Sequence, residues 1–337
     1  MLGIIGDQHF SKFLPYADHI KDRRLSEKQE VLDFIVESFK SCEKIIFMGD
    51  QFHSRSNPPE VIEEFVNFLE RFNDREVIML RGNHEILPFG KSCLDFLKEV
   101  KGKNWKIITN TIEQIGNYTF LPYFTRAELE VKTNEEGTKK IMAQLKGGDV
   151  LFAHFAFADS KTHDIPVSIF NEPILNRIKL EKKYKKIIGS HVHTPQIIEN
   201  TVICGSIFNS EVGEIQKYIH ILDENTLEVE RIALPGRAIY GLTDPIIEEL
   251  KKIPTDSIVK ITLTKKHDKK EMSELRDKLE EYDAHMVIEN IKNERKKLYL
   301  EKGGLMDFNI DNLLEIYSKE KSVPLDKLKV AFELIKI

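Results

Sequence analysis

The apolar positions of this chain fall into two periods. Short unbroken apolar runs, closed by polar or turn residues, read as buried strands. They lie at Leu2–Ile5, 44–48, 77–80, Trp105–Ile108, Tyr118–Leu121 and 150–153, with two more around 201–204 and Tyr218–Leu222. Helical spacing separates them. Val31, Leu32, Ile35, Val36 and Phe39 recur every third or fourth position and predict a helix over 26–39, with Ser26 as N-cap. Pro58 and Pro59 open a second helix reaching about Phe72. A short helix is expected over 93–100 and a charged one over 134–145. Strands that alternate with helices, then follow one another directly, predict a layered α/β domain with antiparallel sheet late in its course.

The second helix is apolar on two sides: Val61, Phe65, Phe68 and Phe72 on one, Ile62, Val66 and Leu69 on the other. A helix laid on one sheet needs only one stripe. Either it is deeply buried, or its second side meets another subunit. The segment 155–173 has weak periodicity, and long loops beside strand ends often carry function.

Pro235-Gly236 reads as a domain boundary. Beyond it a smaller α+β pattern follows: helix 245–252, strand 258–264, helix 270–282 and strand 285–291. Gly303-Gly304 then precedes two short amphipathic helices, near 310–319 and 324–337. The expected divisions are 1–235, a cap over 236–304, and C-terminal helices over 305–337.

Composition narrows the class. At 337 residues, 41% of them hydrophobic and 31% charged, the chain suits a two-domain globular protein with a sizeable core. No apolar run approaches a membrane span, and the opening five residues are too short for a signal peptide. Three scattered cysteines, Cys42, Cys93 and Cys204, show no zinc-knuckle spacing and suit a reducing cytoplasm. A net charge of −5 argues against an unaided electrostatic grip on nucleic acid. Local basic patches or bound metals would have to supply one.

The strand ends carry the chemistry. Asp7-Gln8-His9, Gly49-Asp50-Gln51-Phe52-His53, Arg81-Gly82-Asn83-His84-Glu85, His154 and His191-Val192-His193 each follow an apolar run. Residues two apart in extended chain point the same way, which pairs Asp7 with His9 and His191 with His193. Hydrolysis of a phosphate ester needs charge neutralisation and a nucleophile at neutral pH, and two cations about 3.5–4 Å apart supply both. An anion must lie between them, and Asp50 is the candidate. With Asn83 and His154 the set reaches seven ligands, all oxygen or imidazole. That mixture suits manganese, iron, cobalt or zinc better than a magnesium or calcium site built of oxygen alone. A lone His-x-His is ordinarily surface or core; five such clusters in succession carry the reading.

These five blocks resemble the calcineurin-like metallophosphoesterase family, whose pattern is D-x-H, G-D, G-N-H-[DE], H and G-H-x-H in that order. One departure is Ser190, where the family has glycine; with Gly189 just before it, a small backbone adjustment is expected. The resemblance implies two packed β-sheets flanked by helices, with the site at the strand ends. It implies that Asp7, His9, Asp50 and His193 hold one divalent ion and that Asp50, Asn83, His154 and His191 hold the other. Mn2+ is the first expectation, with Mg2+, Co2+ or Fe2+ as alternatives. His84 is then no ligand but faces the substrate and assists the leaving oxygen, work suited to a side chain that titrates near neutrality.

The serine/threonine phosphatases of the family carry G-D-x-V-D-R-G. Here Gly49-Asp50-Gln51-Phe52-His53 is similar instead to the G-D-[LI]-F-[HD] block of the Mre11/SbcD nucleases. Pro122-Tyr123, Gly205-Ser206, the cap and the terminal helices extend the likeness. It implies DNA as substrate, His53 as a substrate-facing catalytic residue, and a homodimer formed through Val61, Phe65, Phe72, Leu94 and Leu97. It implies DNA contacts from Lys265, Lys266, Lys296 and Lys297 in the cap, with the run Lys182, Lys183, Lys185 and Lys186 adding charge in the core. Leu325, Leu328, Phe332 and Ile335 would bind a Rad50/SbcC-like coiled-coil ATPase. The expected setting is the cytoplasm of a microbial cell or a phage-infected host, with no membrane partner. Two other readings stay open: a small-molecule phosphodiesterase or phosphomonoesterase on the same fold, and a scaffold whose main work is regulating an ATPase.

Overall fold

Hydrogen bonding sorts the apolar runs into two six-stranded sheets. The computed structural model describes residues 1–288 apart from 13, 17–20, 101, 163–164, 265–268 and 280–281. In chain order the first elements are β1 (Leu2–Ile5), α1 (Lys21–Ser38), β2 (Lys44–Phe47), α2 (Pro59–Glu70), β3 (Glu76–Leu80) and β4 (Trp105–Ile108). Next come β5 (Glu113–Ile115), β6 (Tyr118–Leu121), α3 (Asn134–Gln144), β7 (Gly148–His154), β8 (Lys161–Thr162) and β9 (Ile165–Pro166). They are followed by α4 (Arg177–Glu181), β10 (Tyr184–Ser190), β11 (Gln196–Ile198), β12 (Thr201–Ile203), β13 (Tyr218–Leu222) and β14 (Val229–Ala233).

The first sheet runs β14-β13-β1-β2-β3-β4 and the second β11-β12-β10-β7-β6-β5. β1 to β4 are mutually parallel, with β13 antiparallel to β1. In the second sheet β6, β7, β10 and β12 are parallel, and β5 and β11 form antiparallel edges. Strand period two divides the side chains into layers. Ile4, Ile46, Ile78 and Leu80 meet Phe120, Val150, Phe152 and Ile188 between the sheets. Ile5, Ile45, Phe47 and Val77 pack with Val31, Ile35, Phe65 and Phe68 of α1 and α2. Leu121, Leu151 and Ile187 pack with Ile141 and Leu180 of α3 and α4. Strands covered on both faces read as continuous apolar runs, which is why the sequence marks them so clearly. The result is the expected α/β architecture of two packed sheets flanked by helices.

Several details differ from the sequence reading. α1 begins at Lys21, before any apolar period, and Ser26 lies inside it, its hydroxyl donating to the Arg23 carbonyl at 2.8 Å. Residues 95–99 form a 3-10 turn rather than an α-helix. The dimer residues need correction. Val61, Phe65, Phe72, Leu94 and Leu97 are all buried in the chain's own core beneath the first sheet. Phe65 packs its ring 4.9 Å from that of Phe52 and 5.3 Å from that of Phe10. Side chains already withdrawn from solvent have no surface left to offer a second copy. Ile62 and Val66 pack partly buried against the same cluster, so both apolar sides of α2 serve one core.

After β14 come β15 (Ile239–Thr243), α5 (Ile247–Leu250), β16 (Ile258–Leu263), α6 (Lys269–Leu279) and β17 (Asp283–Ile288). β15, β16 and β17 form a three-stranded sheet whose core includes Leu250, Val259, Ile261, Leu275 and Leu279. β15 was not foreseen; Gly241 breaks its apolar pattern. The Ile239 amide donates to the Glu214 carbonyl at 2.9 Å, and Gly213 donates to the Ile239 carbonyl at 2.8 Å. One compact unit comprises 1–263 with 267–287; the other comprises 264–266 and 288–337, of which only 264 and 288 are described. Lys265, Lys266, Lys296, Lys297, Leu325, Leu328, Phe332 and Ile335 therefore lie outside the described residues. Among those described, no helix is long and apolar enough to cross a membrane.

Candidate metal centre

All five strand-end clusters converge at one edge of the two sheets. Asp7 leaves β1 buried, and its carboxylate accepts the His191 amide at 3.1 Å and the Ser190 hydroxyl. The serine that departs from the family's glycine therefore binds an expected ligand. His9 and Asp50 take left-handed backbone conformations, φ 48° and 49°, and the His9 amide donates to the Asp50 carbonyl at 2.9 Å. Two glycines make room. A Cβ at Gly49 would stand 2.2 Å from His154 Nδ1, and one at Gly82 would stand 2.1 Å from Asp50 Oδ1.

Three triads of possible ligand atoms result among the described residues, each within 4.8 Å: Asp7, His9 and His193, then Asp50, His154 and His191, and a third of His9 with the two expected catalytic histidines, His53 and His84. Asp50 Oδ2 reaches toward the first two, 3.8 Å from His9 Nε2 and 3.5 Å from His154 Nε2. Asn83 Oδ1 lies 3.2 Å from His154 Nε2 and 2.9 Å from His191 Nδ1. His154 Nδ1 donates to the Met48 carbonyl at 2.8 Å, which leaves Nε2 as the nitrogen directed at Asp50 and Asn83. His84 Nε2 stands 3.9 Å from Asp50 Oδ2, and the His84 ring centroid is 4.8 Å from that of His9 and 5.7 Å from that of His53. The seven expected ligands and both expected catalytic histidines are thus brought together.

The donor set fits divalent cations. His9 Nε2 and His193 Nε2 face one another at 2.9 Å, an approach that two lone pairs make only around a shared proton or a metal. Burial pushes the Asp7 carboxyl up, as does its neighbour Asp50, although His154 opposes them. Burial also works against the Asp50 carboxylate, but His154, His9 and His84 outweigh it and hold Asp50 well below the usual range. For His9, burial and the crowding of His193, His84 and His53 prevail over Asp50 and push the ring well below its ordinary value. For His154, Asp50 and Asp7 overcome burial and push it up to about 10. A cation in the site takes the place of such protons.

The sequence reading gave no role to three supporting groups. Glu85 is fully buried and accepts the amides of Asp50 at 3.0 Å, Phe52 at 2.9 Å and Gly82 at 2.8 Å, fastening two site loops together. Burial and then Asp50 push its carboxyl up to about 8. The only signal was its place in the Gly-Asn-His-Glu block. Lys217 is buried behind His193 and donates to the His193 carbonyl at 3.0 Å and to Ser206 Oγ at 2.7 Å, while paired with Glu214. Glu172, on the aperiodic 155–173 segment, bonds His191 Nε2 at 2.6 Å. The basic run in the core is partly spent internally: Lys183 donates to the Leu145 carbonyl at 2.8 Å, and Lys185 pairs with Asp149 at 2.8 Å.

Comparison with known proteins gives one family. The family described as calcineurin-like phosphoesterase matches residues 2–195. No curated protein matches the sequence. Among solved structures, an archaeal phosphodiesterase is similar at 17% identity and a TM-score of 0.33, covering 69% of this chain and 99% of its own. A hypothetical protein from Pyrococcus horikoshii OT3 is similar at 16% identity and a TM-score of 0.35, covering 75% of this chain and 95% of its own.

Proposed function

The chain belongs to the calcineurin-like phosphoesterase family, and from that premise we propose that it is a two-metal nuclease that hydrolyses phosphodiester bonds of DNA. Membership makes it a phosphoester hydrolase whose Asp and His clusters bind divalent metal ions. We assign Asp7, His9, Asp50 and His193 to one ion and Asp50, Asn83, His154 and His191 to the other, with Mn2+ as the preferred metal. When bound, the pair neutralises phosphoryl charge and makes a water nucleophilic near neutral pH. Asp50 provides the anion between the two positions. His84 carries the proton given to the leaving oxygen.

The observation that carries the nuclease reading is His53 beside His84. The backbone oxygen of His53 holds His84 Nδ1 at 2.5 Å, and both rings line a cleft of about 330 Å³ with His9, His193 and Phe208. A second imidazole beside the acid suits a substrate with a neighbouring phosphate, as a nucleic acid strand has and a monoester lacks. The test is incubation with linear DNA and Mn2+, against a p-nitrophenyl monoester and a bis(p-nitrophenyl) diester. DNA cleavage that needs Mn2+ and is lost in Asp50→Asn supports the reading. Hydrolysis of the small esters with DNA left intact overturns it in favour of a small-molecule esterase.

The partner reading continues as part of this proposal. The stretch 310–337, whose spacing predicts two short amphipathic helices, recruits a coiled-coil ATPase through Leu325, Leu328, Phe332 and Ile335. A chain ending at Gly304 should keep Mn2+-dependent cleavage of small substrates and lose co-purification with the ATPase. Lys265, Lys266, Lys296 and Lys297 remain the proposed DNA contacts of the cap. A homodimer also remains proposed, through surfaces other than the buried Phe65 side of α2; sedimentation at several concentrations checks it.

A further inference from the structure

His191 follows β10 with φ 89°, and its ring lies between two partners. Nδ1 stands 2.9 Å from Asn83 Oδ1, and Nε2 stands 2.6 Å from Glu172 Oε1. The other carboxylate oxygen of Glu172 accepts the Tyr123 hydroxyl at 2.8 Å. Tyr123 is itself pinned. Its amide donates to the Arg81 carbonyl at 2.9 Å, and its carbonyl accepts from buried Arg81 Nη2 at 2.6 Å. Its ring stacks on Phe155 with centroids 5.0 Å apart. The segment that delivers Glu172 is closed at its base, where Leu175 and Ala158 exchange amide bonds with Ala156 and Leu175, each at 2.9 Å.

A carboxylate accepts and does not donate, so the proton of the neutral His191 ring must sit on Nε2. The lone pair then belongs to Nδ1, the nitrogen beside Asn83. We propose that Glu172 is a positioning residue for the metal centre: it fixes the tautomer and orientation of His191 for a divalent cation, and Tyr123 holds Glu172 in place. Both Glu172 oxygens are used in these two bonds, so it acts through His191 rather than as a further ligand. Outer partners of this kind raise ligand basicity, and their loss typically weakens metal binding about 10–100-fold. The proposal rests on the metal-site reading given above, but not on DNA as substrate.

The experiment is calorimetric titration of the metal-stripped full chain with Mn2+, without substrate, alongside thermal melts in EDTA and in Mn2+. Wild type should take up two ions. Glu172→Ala should bind one of them about 10–100-fold more weakly. Glu172→Gln keeps an acceptor but loses the charge, and should fall between the two. Tyr123→Phe keeps the stacked ring and should weaken binding least. The melts in EDTA should match wild type for Glu172→Gln and Tyr123→Phe, while the stabilisation that Mn2+ adds should shrink in both. These two variants decide the matter if Glu172→Ala fails to fold. Wild type that binds two ions, with Glu172 variants that bind them equally tightly, overturns this proposal alone. Wild type that takes up no Mn2+ overturns the metal-site reading and this proposal with it.

Discussion

His84 Nδ1 lies 2.5 Å from the backbone oxygen of His53. A carbonyl only accepts, so this bond places a proton on Nδ1 and leaves Nε2 to face the site. When the ring is charged, Nε2 carries the second proton, the one available to a leaving oxygen. His84 touches Asp50 through its own amide, which donates to Oδ1 at 3.0 Å, while its Nε2 lies 3.9 Å from Oδ2. His84→Gln should therefore keep both metals and, on the nuclease proposal, DNA affinity equal to wild type, while turnover falls about 10²–10⁴-fold, the usual worth of a positioned acid. Metal analysis beside a turnover assay checks it; loss of metal would make His84 a ligand.

Asp50→Asn should keep the shape of the loop but remove the anion between the two metal positions. Loss of an outer partner already weakens metal binding about 10–100-fold, and loss of a shared ligand should cost more. Metal content of the purified variant should drop below two equivalents, with activity falling in parallel. Two full equivalents and normal cleavage would show that another group bridges.

The five clusters were legible because each is short and follows a strand covered on both faces, whose apolar run marks where the turn begins. Pairings across the chain were not legible. Glu172 meets His191 from a segment without period, and no spacing rule links them. Ser190 departs from the family's glycine, and only the fold shows its hydroxyl bonded to Asp7. Glu85 stands inside the Arg81-Gly82-Asn83-His84-Glu85 block, but its task needs three amides from two loops. α2 was misread for a related reason. Two apolar stripes do not tell one wide core from a core plus an interface, and Phe10 and Phe52, which Phe65 meets, come from other loops.

That burial decides what substitution of Phe65 should do. Phe65→Asp should fail to fold, since it sets a charge among Phe10, Phe47 and Phe52 with no partner there. Phe65→Ala should fold with a stability loss of about 3–5 kcal/mol in urea titration. A folded, monomeric Phe65→Asp from a dimeric wild type would return α2 to an interface.

His220 makes the pH dependence of folding testable away from the metals. It lies on β13 opposite Ile4 and Arg231, fully buried, and neither ring nitrogen has a hydrogen-bond partner among the described residues. Burial, and then Arg231, depress it from 6.5 to about 3. For a base depressed in the folded state, the unfolded chain binds the proton first, so acid favours unfolding. The penalty is absent above about 6.5, grows by about 1.4 kcal/mol per pH unit below it, and levels off near 3. At pH 5 it should reach about 2 kcal/mol. His220→Leu removes the group, while every other ionisable side chain is common to both proteins and cancels in the difference. Urea titrations of both proteins at pH 7.5 and pH 5 should therefore show the variant gaining about 2 kcal/mol on wild type at the lower pH. Equal losses in the two proteins would mean that His220 finds a proton acceptor in the folded chain and is charged there.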